Sequence, residues 1–259
     1  MVWLDHFLEP ISKMIHIKRE LLIAKEASSK SAELLLDKKK SLNNIISDEG
    51  RDIKLKADIE SENVINKFLR DNSDLPILGE EFGAEEDLGS TFWVVDPLDG
   101  TSNYSRDFPI CCISIGLIHE DKIILGVIND FNRNIIYEGS IETKAMMNSK
   151  IINVSSTSKK NKATLATGLP AKGRFDDQAM LDLAKELSQW KKVRMIGSAA
   201  MSCAYVASGQ FDQYQENGIF LWDIAAGLAI IKSAGGNFEY NIHDDNQFKV
   251  DVIANNNYL

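Results

Sequence analysis

The chain has 259 residues, 44% hydrophobic and 26% charged, with a formal net charge of -9 at pH 7; these globular proportions set aside disordered and collagen-like classes. The acidic balance argues against a nucleic-acid coat or an anionic-membrane binder, while leaving room for a local cationic pocket. Three cysteines, two of them adjacent at Cys111 and Cys112, offer neither a disulfide framework nor metal-ligand spacing and fit a reducing cytoplasm.

The opening MVWLDHFLEPISK carries acids and Pro10 and does not read as a signal peptide, and no stretch reaches about 18 uninterrupted apolar residues. The expectation is a soluble, cytoplasmic protein. From Trp3 to about Leu36, apolar residues recur at helical spacing (Leu4, Phe7, Leu8, Ile11, then Leu21, Ala24, Ala27, Leu35), with Pro10 a kink or boundary. His6 and His16 lack ligand-spaced partners and read as surface or packing residues. Lys38 to Lys40 read as a solvated helix end favoured by the dipole.

Ile53 and Leu55, alternating with Lys54 and Lys56, predict a short strand ending at Ala57-Asp58, with Asp58 as N-cap of a helix carrying Val64, Ile65, Phe68 and Leu69. The run Leu75 to Leu78 predicts another strand, which stops at Gly79-Glu80-Glu81-Phe82-Gly83. By pattern alone that acid pair is a solvated turn, as are Glu85, Glu86 and Asp87.

Chemistry concentrates in WVVDPLDGTSN, Trp93 to Asn103. Phe92 to Val95 predict a strand buried on both faces, and Pro97 holds Asp96 extended at its end. Asp99-Gly100 reads as a turn, and Thr101 or Ser102 can cap a following helical turn whose free N-H groups would suit a phosphate oxygen. Two carboxylates about 6 Å apart repel by about 3 kcal/mol at an effective dielectric of about 20, so a cluster of several needs Mg2+ or protons to persist.

Ile110 to Ile118, Ile123 to Asn129 and Asn134 to Glu138, joined by short turns, predict an antiparallel meander, with His119 in a turn and the two adjacent cysteines packed rather than reactive. Near residue 150 the pattern changes to alternating strand and helix: strand from Ala163 to Thr167, helix from Asp176 to Trp190, strand from Val193 to Ile196, and a small-residue helix from Ser198 to Ser208. The chain therefore divides into an N-terminal α+β half, 1–150, and a C-terminal α/β half, 151–259. The basic loop with Lys172 and Arg174 reads equally as solvated loop or substrate contact. Gln210 to Gln215 predict a strand ending at Glu216-Asn217-Gly218, and Trp222-Asp223 opens an apolar helix closed by Gly235-Gly236.

The string D-P-L-D-G-T at 96–101, with G-E-E at 79–81 and LWDIAAGLAIIKSAGG at 221–236, resembles the signatures of the inositol monophosphatase family of Mg2+-dependent, lithium-sensitive phosphatases. The resemblance runs from about Leu21 to Asn256. It implies an α+β fold, the layered αβαβα sandwich of the inositol monophosphatase and fructose-1,6-bisphosphatase type, acting as a homodimer. Carried over by position, Glu80, Asp96 and the Leu98 carbonyl would hold one Mg2+, and Asp96, Asp99 and Asp223 a second. Water would attack phosphorus directly, helped by Glu80 and by Thr101, itself oriented by Asp58. Gly100 and Thr101 amides would hold phosphate oxygens, Glu216 a substrate hydroxyl, and Ser198 and Ala199 would form a small-residue wall. Lys54 and Lys56 depart from the family, where many members have uncharged residues. The implied substrate is inositol monophosphate or a similar polyol or sugar phosphate. Other esters handled on this fold are 3'-phosphoadenosine 5'-phosphate, fructose 1,6-bisphosphate and histidinol phosphate, and a non-catalytic binding member is the reading of another class.

Overall fold

The computed structural model describes residues 15–49, 52–169 and 177–259. His6, Pro10 and the expected helix before residue 15 lie outside the described residues, as do Lys172 and Arg174. Helix α1 (Ile17–Asp37) buries Ile17, Leu21, Ala24, Ala27 and Leu35, the spacing of one helical face. A short helix α2 (Lys39–Leu42) and a hairpin of β1 (Ile45–Glu49) and β2 (Asp52–Leu55) lead into α3 (Lys56–Asn72). Where α1 and α3 meet, the Ser31 and Ser61 hydroxyls are 2.6 Å apart. Lys39 is not merely solvated: it pairs with Asp107 at 2.7 Å and lies over the Tyr104 ring.

The next strands are β3 (Ile77–Gly79), β4 (Gly83–Ala84), β5 (Thr91–Asp99), β6 (Cys112–His119), β7 (Lys122–Asp130), β8 (Ile135–Ser140), β9 (Thr143–Met147) and β10 (Lys150–Ile151), with the five-residue helix α4 (Thr101–Ser105) between β5 and β6. They form one sheet in the order β10-β9-β8-β7-β6-β5-β3-β4, antiparallel except where β3 pairs with β5. Both faces of its centre are covered, which is why β5, β6 and β7 are near-continuous apolar runs rather than alternating ones. His119 is not in a turn: it ends β6, buried, with Thr91 Oγ1 2.7 Å from its Nδ1.

A second sheet holds β11 (Thr164–Thr167), β12 (Lys192–Arg194), β13 (Gln213–Phe220), β14 (Asn237–His243) and β15 (Asn246–Asn255) in the order β12-β11-β13-β15-β14. Between the sheets lie α6 (Ala199–Ala207) and α7 (Leu221–Ser233), while α5 (Asp177–Leu187) lies outside. Alternation along β11 explains the layering, since Ala166 joins the core with α6 and α7 and Leu165 packs outward with Leu187 and Trp190. The result is the expected layered αβαβα, α+β fold.

Helix α7 sits in a trough without side chains. Gly116, Gly126 and Gly139 are paired in register across β6, β7 and β8. A Cβ on Gly126 would stand 2.1 Å from the Ala226 carbonyl oxygen, one on Gly116 3.0 Å from the Ala226 nitrogen, and one on Gly139 2.9 Å from Ser233 Cβ. On its other side Gly227 admits Cys203 of α6. The helix ends in a Schellman motif: the Gly236 N-H donates to the Ile231 carbonyl at 2.9 Å and the Gly235 N-H to Lys232 at 3.1 Å, with Gly235 at φ 94°.

Candidate active site

The strand β5 does not stop at Asp96 but continues through Pro97 to Asp99 with one extra residue, since Asp96 pairs with Ser114 and Asp99 with Cys112. In a regular strand residues three apart face opposite ways; this bulge turns Asp96 and Asp99 to one face. The corner is fastened from several sides. The Ser61 hydroxyl donates to the Pro97 carbonyl at 2.7 Å and the Leu98 N-H to Asp96 Oδ1 at 2.9 Å. Gly100 follows at φ 90°, and a Cβ there would meet the Ile110 carbonyl at 2.9 Å, so both conformation and space call for glycine. Asn103 Nδ2 donates to the Ile110 and Ile196 carbonyls at 2.7 and 2.8 Å, tying this corner to the later part of the chain.

Asp58 is one turn further into its helix than expected. Leu55 is the N-cap of α3, and Asp58, at N3, accepts the Leu55 N-H at 2.6 Å. Its other oxygen accepts the Thr101 hydroxyl at 2.9 Å, which also lies 3.1 Å from the Leu98 carbonyl. Asp223 is built in the same way: it is N3 of α7 and accepts the Phe220 N-H at 2.9 Å. Glu80 follows β3, and the turn that carries it is ordered by buried Glu62, which accepts the Glu81 N-H at 2.8 Å. Gly79 leaves the space that the Glu62 carboxylate fills.

Glu80, Asp96, Asp99 and Asp223 converge from three separate segments. The charges of Glu80, Asp99 and Asp223 all act on Asp96. Burial first, and then mutual repulsion, holds the carboxyls of Glu80, Asp96 and Asp223 well above the usual range. Burial also raises Asp99, opposed by its hydrogen bonds from Ser198 Oγ at 2.5 Å and from the Ala200 and Ala199 amides at 2.7 and 3.3 Å. Ser198 and Ala199 thus hold Asp99 as well as lining the cavity. Burial pushes Asp58 up to about 7.

No three His, Cys, Asp or Glu side chains among the described residues stand in a ready-made metal-holding arrangement. The donor chemistry nonetheless fits hard divalent cations, being carboxylates and a carbonyl. Among the described residues no Lys, Arg or His forms an ion pair with Glu80, Asp96, Asp99 or Asp223. Such crowding of acids, none of the four paired with a cationic side chain, suits an ion.

Beside the acids opens a cavity of about 470 Å³ lined by Asp99, Gly168, Ser198, Ala199, Glu216 and Asp223 among others. Glu216 is not at a strand end. It lies within β13 at a second bulge, where Glu216 and Ile219 pair with Val252 and Val250. Its Oε2 accepts the Tyr214 hydroxyl at 3.0 Å, and burial pushes its carboxyl up from 4.5 to about 7. The folded state therefore keeps a proton that the unfolded chain has released. The stability this contributes is complete below pH 4.5 and is lost as pH rises to about 7. Glu216→Gln, always neutral, is expected to show a shallower fall of Tm over that window in EDTA. Parallel wild-type and variant curves would mean that Glu216 titrates normally.

Glu62, Asn103 and Ser61 escaped the sequence reading. A signal existed for two of them: Asp58, Ser61, Glu62, Ile65 and Leu69 recur at helical spacing, so polar residues occupy the apolar stripe of α3.

Comparison with known proteins gives four findings. The model of the inositol monophosphatase family matches residues 17–254. The Nus factor SuhB of Xylella fastidiosa is 41% identical over 182 residues, 70% of this chain and 66% of that protein, just under two thirds of its length. The fructose-1,6-bisphosphatase/inositol-1-monophosphatase of Aquifex aeolicus is 33% identical over 253 residues, 95% of this chain and 94% of that protein. Among solved structures, the inositol monophosphatase from Anabaena (Nostoc) sp. PCC 7120 superposes with a TM-score of 0.79 at 28% identity, covering 94% of this chain and 93% of that one.

Proposed function

This chain belongs to the inositol monophosphatase family, and from that premise we propose that it is a Mg2+-dependent phosphomonoesterase acting on inositol monophosphate or a similar small polyol or sugar phosphate. The observation that carries this reading is the clustering of Glu80, Asp96, Asp99 and Asp223, of which Asp99 and Asp223 line the cavity that Glu216 borders. Glu80, Asp96 and the Leu98 carbonyl would hold one Mg2+, and Asp96, Asp99 and Asp223 a second. Bound there, the ions supply Lewis-acid stabilisation of the entering and leaving oxygens.

The chain's own groups do the rest. The Thr101 hydrogen is committed to Asp58 and the Leu98 carbonyl, so its oxygen offers lone pairs to a water and aims that water's own lone pair at phosphorus. The water's proton passes to the Glu80 carboxylate. The Gly100 and Thr101 amides hold phosphate oxygens, and Glu216 takes a hydrogen bond from a hydroxyl of the alcohol being released. Water attacks directly, with no phosphoenzyme. The division at residue 150 gives the first half Asp58, Glu80, Asp96 and Asp99 and the second Glu216 and Asp223, so the site needs both. The reading includes a cytoplasmic homodimer, and no described helix is long and apolar enough to cross a membrane.

Phosphate release from inositol monophosphate, fructose 1,6-bisphosphate, 3'-phosphoadenosine 5'-phosphate and histidinol phosphate tests this, compared as kcat/KM. The Aquifex relative is named for the first two. Inositol monophosphate is expected to lead, with turnover abolished by EDTA and inhibited by lithium. Undiminished turnover in excess EDTA would sink the metal-dependent reading. Lithium insensitivity would remove the chain only from the sensitive branch. A second reading, a non-catalytic binding protein, is favoured by the relatives named Nus factor SuhB, and absence of turnover on the whole panel would support it.

A further inference from the structure

We propose that the Lys54 ammonium is a built-in cation of the carboxylate cluster, providing at its Glu81 end part of the charge compensation that otherwise falls to divalent ions. This rests on the metal-binding function proposed above and adds the side chain that sets how strongly the site demands cations.

Lys54 lies on β2 between Ile53 and Leu55, which pack into the core. Its ammonium forms an ion pair with Glu81, whose side chain is only 6% exposed against 35% for Lys54. Glu81 is adjacent to Glu80, and β2 runs directly into the helix that presents Asp58. The hydrogen bond with Glu81, followed by the charges of Glu81, Asp58 and Glu80, raises the Lys54 pKa. Lys54 therefore feels both ends of the machinery, the acid that takes the water's proton and the acid that orients Thr101. A fixed positive charge there has two effects of opposite use: it eases repulsion in the metal-free protein, and it repels an incoming divalent cation. An ordinary surface ion pair would do neither measurably.

The test uses the full chain stripped with EDTA, with Mg2+ titrated by calorimetry and by melting temperature. Wild type is compared with Lys54→Met, Lys54→Gln, Lys54→Arg and Lys56→Met, the last removing the same charge from an exposed neighbour. Both neutral Lys54 variants should reach half-maximal Mg2+ stabilisation at about fivefold lower Mg2+ or less, with a larger metal-induced rise in Tm. Lys54→Arg and Lys56→Met should follow wild type. A neutral variant that folds only with Mg2+ supports the assignment, while one that folds under neither condition makes Lys54 a structural residue and overturns it. Midpoints unchanged at Lys54, or shifted equally at Lys56 or by arginine, also overturn it. Wild type that gains no stability from Mg2+ defeats the metal-binding function instead, so the two failures are distinct.

Discussion

Asp223→Asn is expected to lower turnover about 10²- to 10³-fold, the loss that follows removal of one preorganised electrostatic group from a transition state. The substitution is conservative for folding, because the asparagine oxygen can still accept the Phe220 N-H that Asp223 accepts at 2.9 Å. Burial and the charge of Asp99 already hold the Asp223 carboxyl well above its usual range. The variant's Tm in EDTA should therefore equal or exceed that of wild type, while its gain from Mg2+ should shrink. If Asp223 served only as a first-turn acid of α7, the cost would instead be about 0.3–1 kcal/mol of stability with catalysis intact. A Mg2+ titration of activity beside melting curves with and without metal separates the cases. Near-normal turnover at an unchanged Mg2+ midpoint would reject a site shared by the two distant segments.

Thr101→Ala should lower kcat about 10²-fold or more with a much smaller change in KM, since orienting a water belongs to the transition state rather than to substrate binding. Thr101→Ser, which keeps the hydroxyl facing Asp58, should recover most of the rate. Asp58→Asn combined with Thr101→Ala should cost little more than either alone, because the pair acts through one 2.9 Å hydrogen bond. Asp58→Asn alone also disturbs the Leu55 cap of α3, so its activity is read beside its Tm. An additive double variant, or a trapped phosphoenzyme in any of them, would contradict direct attack by an oriented water.

Local features were legible where one physical cause acts alone. Apolar runs gave β5, β6 and β7, and the glycine pair marked the end of α7. The bulges were not legible, because an extra residue in a strand depends on how the partner strand pairs, and nothing local announces that Asp96 and Asp99 will face one way. The shift of Asp58 from N-cap to the third position of its helix has a similar origin, and Asp223 holds that position in the first turn of α7: Leu55 and Phe220 serve as caps although neither side chain can, the carboxylate three residues on filling that role. Glu62 stayed hidden because its partner is a backbone amide 19 residues away, outside any motif window. The four acids could be gathered from sequence only through the family resemblance.

The row of glycines under α7 governs how this protein can be altered. Asp223 stands at one end of a helix whose distance from the sheet is set by main chain on main chain, with no rotamer available to absorb an error. A methyl group added at Gly126 would meet the Ala226 main chain and force away from the sheet the helix that carries Asp223, a fault that strikes folding and chemistry together. Met195, Leu169 and Ile219 also line the cavity, and none of them is among the proposed metal ligands. A library seeking new substrates should therefore randomise those three positions and hold the glycine row fixed.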